Sequence, residues 1–236
     1  MYELNEGVAQ KVLTAVDAGL VRGMGSPIPG QMCVEAAVCF AFGLPHSDKP
    51  PCVGNAVRAI KIRLNDSNWS SNEARAKGMR RVAIAQLGSD TLDQHDFVKR
   101  FATEIIKQIV PIALRAAGSL KGNAKHKDAL EAAAKRCETE GTRDAALSGK
   151  KAAAAAYAAD AAAYAAYAAD AAAAAAYAAA YAAADAAYAD AYAAYADAER
   201  SRVRDEILSK VAEIVVKILQ DMKSPGCAWL GLTEES

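Results

Sequence analysis

The sequence predicts an all-α protein with a compact multi-helix body and a long Ala/Tyr-rich helix that packs back on the body or against another subunit. Three observations indicate this class. Apolar residues recur at spacings of three and four along most of the chain. No two alternating runs flank a hairpin turn, so strands have no support. Finally, neither glycine nor proline interrupts residues 150–223.

The first helices of the body are separated by segments rich in glycine and proline. Apolar spacing predicts helices over residues 3–18, 31–42, 51–64 and 72–87. The second of these is nearly all apolar, which favours a central position covered on most sides. Ser71 is among the N-cap choices for the fourth helix, and Gly88 should end it.

The later helices are predicted over residues 92–117 and 124–140, with a linker at 118–123 between them. Pro111 should kink or split the first of the two. Gly141 and Gly149 should bracket another interruption of the helical region, and Trp229 and Leu230 of the tail could pack on the body. The predicted domains are a body at 1–123, a long helical region at 124–223 and a tail at 224–236.

Residues 152–198 consist of 34 Ala, 8 Tyr and 5 Asp. Seven of the eight tyrosines occupy two heptad positions three residues apart, which is the relation of a coiled-coil seam. Alanine favours helix and lets a partner helix approach closely. The tract therefore predicts a packing helix and a homo-oligomer, with interface residues Tyr167, Tyr181, Tyr188, Tyr192 and Tyr195. A tyrosine-lined groove that stacks a ring or nucleobase is the alternative.

Charge and cysteine content narrow the function classes. Residues 1–151 carry 22 Lys+Arg and 16 Asp+Glu, a balance of +6, which is too small for a dedicated nucleic-acid binder. Five aspartates oppose membrane insertion of the alanine tract, and Glu3 and Glu6 oppose a signal peptide. The odd number of cysteines, five, is typical of reduced thiols. We therefore expect a cytoplasmic protein without a membrane partner, for which nucleic acid is an unfavoured partner.

The densest polar cluster lies between the second and third predicted helices. Cys33, His46 and Asp48 are the candidate catalytic residues, because a thiol near a helix N-terminus has a lowered pKa and could act as a nucleophile. The spacing Cys-x12-His-x5-Cys matches no familiar zinc motif, so no metal is predicted. A purely structural turn with buried cysteines is the other interpretation.

Basic residues concentrate on the third and fourth predicted helices, where they could hold an anion such as a phosphate. A solvated helix face would explain most of them equally well. The seven basic residues are Arg58, Lys61, Arg63, Arg75, Lys77, Arg80 and Arg81. The predicted ligand-binding set is His46, Asp48, Asn65, Arg58, Lys61 and Arg80. No cofactor is predicted, since the glycine-rich loop at 19–30 has neither a P-loop nor a dinucleotide pattern.

The string PGQMCVEAAVCFAFGLPHSDKPPC, followed by RLND and by an Arg-rich helix ending in QLGSD, resembles a family of bacterial and phage proteins of uncharacterised activity. The resemblance covers roughly residues 19–117 and extends to the closing segment SPGCAWLGL. It implies a phage or prophage origin, in which case the host cytoplasm is the expected location. It carries no catalytic residue to this chain.

These observations predict a non-enzymatic binding protein that is phage- or prophage-associated and acts in counter-defence. It would sequester an anionic small molecule or block a host protein, and assemble through its long helix. The first alternative is a cysteine-dependent hydrolase or transferase that uses Cys33 and His46. The second alternative is a nucleic-acid binding protein.

Overall fold

A computed structural model of the chain describes residues 3–119, 121–156 and 197–234. Across these ranges the predicted all-α class is confirmed, because nine α-helices and short 3₁₀ segments account for the regular structure. An isolated antiparallel bridge between Gly25 and Met32 is the one β-type pairing there. The helices are α1 (Glu6–Asp17), α2 (Val34–Ala41), α3 (Asn55–Asp66), α4 (Asn72–Ala85), α5 (Gln94–Gln108), α6 (Val110–Ser119), α7 (Lys127–Glu140), α8 (Arg143–Ala156) and α9 (Asp197–Asp221).

Side-chain caps set the first turns of three helices. Asn5 and Ser71 accept hydrogen bonds from the third backbone N–H of α1 and α4, at Val8 and Ala74. Cys33 plays the same part for α2, which is why that helix begins three residues later than its apolar run predicts. The predicted cap at Ser71 is therefore confirmed.

Two predicted interruptions have different outcomes. Pro111 splits the run at 92–117 into α5 and α6, as expected for a residue that cannot donate to the preceding turn. The interruption predicted between Gly141 and Gly149 is confirmed at its first end, where α7 ends before Gly141, but α8 begins at Arg143 and passes through Gly149 without a break. A Cβ at Gly149 would lie 3.1 Å from Leu114, so the glycine permits close packing of two helices.

The chain divides into two units, Met1–Phe97 with Leu208–Ser236, and Val98–Ile207. The first unit thus takes in the C-terminal segment and leaves residues 98–123, assigned by sequence to the body, to the second. In the first unit, Gly226 N–H donates to the Leu87 carbonyl and Ser224 Oγ donates to the Ala85 carbonyl. Leu230 is buried and Trp229 half-buried, which places the tail where the sequence predicted it.

The second unit has a small buried cluster rich in alanine. Its buried cluster joins the end of α5, α6, α7 and the start of α8, and consists of Ile106, Val110, Leu114, Ala117, Leu130, Ala133, Ala134, Cys137 and Ala145. On its surface Arg115 of α6 forms ion pairs with Glu131 and Glu138 of α7.

The predicted interface tyrosines, Tyr167, Tyr181, Tyr188, Tyr192 and Tyr195, lie outside the described residues, and the heptad seam stays a prediction. Across the described helices, none combines the length and apolar character needed to cross a membrane.

Candidate functional site

Asn65, near the C-terminal end of α3, ties together three segments of the first unit. Its Nδ2 donates to the Val21 carbonyl and to Asp66 Oδ1, each at 2.9 Å. Its Oδ1 accepts from the Val34 backbone N–H at 3.3 Å. Gly23 N–H donates to the same Asp66 oxygen at 2.8 Å. These bonds hold the glycine-rich loop against the start of α2 and the end of α3.

Arg75 of α4 supports this arrangement from within. Arg75 is 5% exposed, and its guanidinium donates to the backbone carbonyls of Asn65 at 2.7 Å and Leu20 at 3.1 Å. A third bond goes to the side chain of Asn72. Arg75 therefore fixes the loop and the end of α3 to α4, which makes it a structural residue.

A fully buried ion pair lies beside this network. Lys61 Nζ of α3 is 2.8 Å from Glu35 Oε1 of α2, and both side chains have 0% exposure. Apart from this contact, neither the Lys61 nor the Glu35 side chain has a hydrogen-bond partner among the described residues. Glu35 Oε2 therefore has no partner there. Burial raises the pKa of Glu35 and lowers the pKa of Lys61, while the attraction between the two charges opposes both changes.

The burial of Cys33 opposes the lowered thiol pKa that the sequence predicts. Cys33 does precede α2, and its Sγ accepts from the Ala36 N–H at 3.4 Å. Its pKa is nevertheless raised, first because the thiol is buried and also because Glu35 is close, and these effects outweigh the helix N-terminus. The expected lowering of the Cys33 pKa is therefore wrong. Burial also raises the pKa of Cys52 to about 12.

A small cavity of about 40 Å³ opens between the loop and these helices. Its wall includes three carboxylate residues, Glu35, Asp48 and Asp66, together with Gly23, Cys33 and Asn65. None of the residues that line it is basic. This cavity is called the acidic cavity below.

A larger cavity of about 340 Å³ lies at the N-terminal end of α3 and is called the basic cavity. Lys49, Arg58, Asn55, Asp90 and Gln94 contribute its polar lining. Gln94 Oε1 accepts a hydrogen bond from the Ala56 N–H at 3.1 Å, so Gln94 of α5 caps the first turn of α3. A Cβ at Gly54 would lie 2.2 Å from the same amide oxygen, so a larger residue at this position would displace the Gln94 side chain.

The structure brings some of the predicted ligand-binding residues together. Asp48 lines the acidic cavity, Arg58 lines the basic cavity, and the two side chains form an ion pair at 3.6 Å. Arg58 also donates to the Asp48 carbonyl at 3.3 Å. Asn65 lines the acidic cavity through the network described above.

The other predicted site residues are placed differently. His46 Nε2 lies 3.1 Å from the Gly25 carbonyl, and among the described residues no hydrogen bond joins His46 to Cys33. Lys61 faces Glu35 in the interior. Arg80 forms a two-pronged contact with Asp17 and donates to the Thr233 carbonyl, so it lines neither cavity.

The interpretation of the basic residues on α3 and α4 as one solvated face is corrected in part. Lys61 and Arg75 are interior residues with polar partners, and Arg81 pairs with Glu213 of α9. Helical spacing alone does not reveal this, because the partners come from elements distant in sequence.

Sequence reasoning missed Lys49, Asp66 and Gln94 as site residues and missed the pairing of Glu35 with Lys61. A usable signal existed for Glu35, which is a lone charge within the apolar stretch VEAAVCFA, but not for Lys61, which lies between Arg58 and Arg63. No such signal marks Gln94, whose capping contact reaches across 38 positions of sequence.

Searched over the described residues, no group of three or more His, Cys, Asp or Glu side chains is arranged to hold a metal ion. No family model, no curated protein and no solved structure matches this chain.

Proposed function

We propose that the chain is a non-enzymatic binding protein that takes up a small anionic ligand, of the phosphate or carboxylate class, in the basic cavity. The observation that carries the proposal is the position of Lys49 and Arg58 in a 340 Å³ cavity at the N-terminal end of α3. That volume lies in the range of small-molecule sites.

The electrostatics of the basic cavity favour an anion. Backbone N–H groups and the dipole make a helix N-terminus attractive to negative charge. Gly54 precedes α3 and offers no side-chain cap of its own. The lining includes two basic residues, Lys49 and Arg58, and one acidic residue, Asp90, while Asp48 pairs with Arg58 from outside the lining.

Binding is better supported than cysteine catalysis. A nucleophilic thiol needs a lowered pKa or an adjacent base. Burial raises the pKa of Cys33, and the ring of His46 contacts Gly25 instead of the thiol. The phage association, the block of a host protein and assembly through the long helix stay predictions from sequence.

Calorimetric titration of the full chain with inorganic phosphate, and separately with acetate, tests the proposal at low ionic strength. At least one anion should bind with one-site behaviour. The double variant Lys49→Met/Arg58→Met should weaken that binding by about tenfold or more, because charge-assisted hydrogen bonds contribute about 1.5–3 kcal/mol each.

Lys11→Met is the matched control, since Lys11 is an exposed lysine on α1. It should leave the dissociation constant unchanged. Absence of heat with both anions, or equal binding by the control and the double variant, would overturn the proposal.

A further inference from the structure

We infer that the ligand of the basic cavity is a small zwitterion, which carries an ammonium group together with its carboxylate or phosphate, as an amino acid does. This inference rests on the function proposed above, because it concerns the same cavity and keeps an anionic group there. It adds a second charged group to the ligand and assigns Asp90 as the residue that binds this group.

The backbone places Asp90 beside the N-terminal end of α3. The Gly54 N–H donates to Ser89 Oγ at 3.0 Å, and the Asp90 N–H donates to the Cys52 carbonyl at 3.4 Å. These bonds hold the 3₁₀ segment Ser89–Thr91 against the residues that precede α3. Asp90 is exposed and lines the basic cavity, so a ligand bound there can reach it.

The charges at the cavity favour a ligand that carries both signs. Lys49 and Arg58 are positive, Asp90 is negative, and Asp48 pairs with Arg58 at 3.6 Å, so these four residues together are neutral. A purely anionic ligand would leave one excess negative charge and would lie near the Asp90 carboxylate, which opposes binding. A zwitterion keeps the balance. A carboxylate has about four acceptor positions, so Asp90 can accept a ligand N–H in addition to other bonds.

The size of the cavity leaves room for a second charged group. About 340 Å³ corresponds to roughly eleven water molecules at about 30 Å³ each. Acetate or phosphate alone would fill only part of this volume. The exposed residue Pro51 adds an apolar surface to the lining, which suits a short aliphatic chain between the two charged groups.

Each end of the ligand then has its own partners. The carboxylate or phosphate is placed at Lys49 and the N-terminal end of α3, where the helix dipole attracts negative charge. The ammonium is placed at Asp90, with which it forms charge-assisted hydrogen bonds. Asn55, the first residue of α3, is exposed in the same lining, and its amide can donate to the anionic group or accept from the ammonium.

Calorimetric titration of the full chain, at neutral pH and low ionic strength, compares ligands in pairs that differ by one ammonium group. Glycine, β-alanine and γ-aminobutyrate are paired with acetate, propionate and butyrate, and phosphoethanolamine is paired with ethyl phosphate. At least one zwitterion should bind about tenfold or more tightly than its partner, because its ammonium adds a charge-assisted hydrogen bond. The carboxylate and phosphate pairs show which anionic group the cavity takes.

Asp90→Asn tests the assignment of the ammonium. It should weaken the preferred zwitterion by about tenfold and tighten the partner that lacks an ammonium, because the variant no longer repels an anion. Shifts in opposite directions cannot come from a loss of folding. Asp128→Asn, which alters an exposed carboxylate in the first turn of α7, is the matched control and should keep the preference of the original chain.

Three results would count against these conclusions. Equal affinities within every pair would overturn the zwitterion inference and leave the anion site in place. A preference for the zwitterion that survives Asp90→Asn would also overturn it, because the ammonium would then contact another group. Absence of binding by both members of every pair would remove the proposed function itself, so the two conclusions can fail separately.

Discussion

The two units contain ion pairs in opposite environments, one buried in the interior and the other exposed at the surface. In the first unit Lys61 and Glu35 form a single pair with 0% exposure of either side chain. In the second unit the Arg115 guanidinium donates four hydrogen bonds to Glu131 and Glu138. These three side chains are about 40% exposed. The pair with fewer contacts is the one on which stability should depend more.

Burial explains this reversal. An exposed pair exchanges hydration for a modest attraction, and salt screens it. A buried charge that loses its partner cannot recover its hydration, so the remaining charge is strongly destabilising. The number of hydrogen bonds around Arg115 is therefore a poor guide to its contribution, and the lack of solvent around Lys61 is a better one.

The largest effect is expected from Lys61→Met. It leaves the Glu35 carboxylate buried without a cation and should lower the free energy of unfolding by about 3–5 kcal/mol. Urea denaturation at neutral pH, followed by circular dichroism, measures this change.

Glu35→Met/Lys61→Met is the decisive companion variant. Replacing a buried ion pair by hydrophobic side chains of similar volume is often neutral or even stabilising, so the double variant should recover most of the lost stability. If the double variant were as unstable as the single one, the loss would come from packing, and the contrast between the units would not be electrostatic.

Local chemistry made several features of the fold predictable. Ser71 and Pro111 act on backbone groups within four residues of themselves, so their effects can be predicted from neighbouring letters. Gly149 was misjudged because its neighbour, Leu114, is 35 positions away and is brought close by the packing of helices.

The candidate site was less predictable than the helices for the same reason. Cys33, Asp48, Arg58 and Asn65 were singled out from composition, but the division into an acidic and a basic cavity depends on tertiary contacts. The direction of the Cys33 pKa shift depends on burial, which the helix N-terminus alone does not determine.

A smaller effect is expected at alkaline pH, where Cys52 in the first unit and Cys137 in the second should each make the free energy of unfolding fall. Burial raises the pKa of Cys52 in the first unit from 9.0 to about 12, and that of Cys137 in the second unit to about 11. A thiol whose pKa is raised on folding stabilises the protein fully below pH 9, and this stabilisation is lost as pH rises through the pKa of the folded state. The slope should be about 1.4 kcal/mol per pH unit for each thiol.

The free energy of unfolding of Cys52→Ala, measured between about pH 8 and pH 12, should therefore fall less steeply than that of the original chain. Cys137→Ala should flatten the slope over a shorter range, because its pKa is closer to 9.0. Each variant is compared with its own value at pH 8, so loss of packing cancels. Identical slopes in all three proteins would show that neither thiol is kept protonated by folding.

The smallest effect is expected from Arg115→Ala. Although Arg115 donates to two carboxylates, water can replace these bonds, since all three side chains are about 40% exposed. The loss of stability should be several-fold smaller than that of Lys61→Met and should shrink as sodium chloride rises from about 0.05 M to about 0.5 M. The loss caused by Lys61→Met should change little over that range, because ions do not reach the buried pair. Equal salt dependence of the two variants would contradict the assignment of one pair to the interior and the other to the surface.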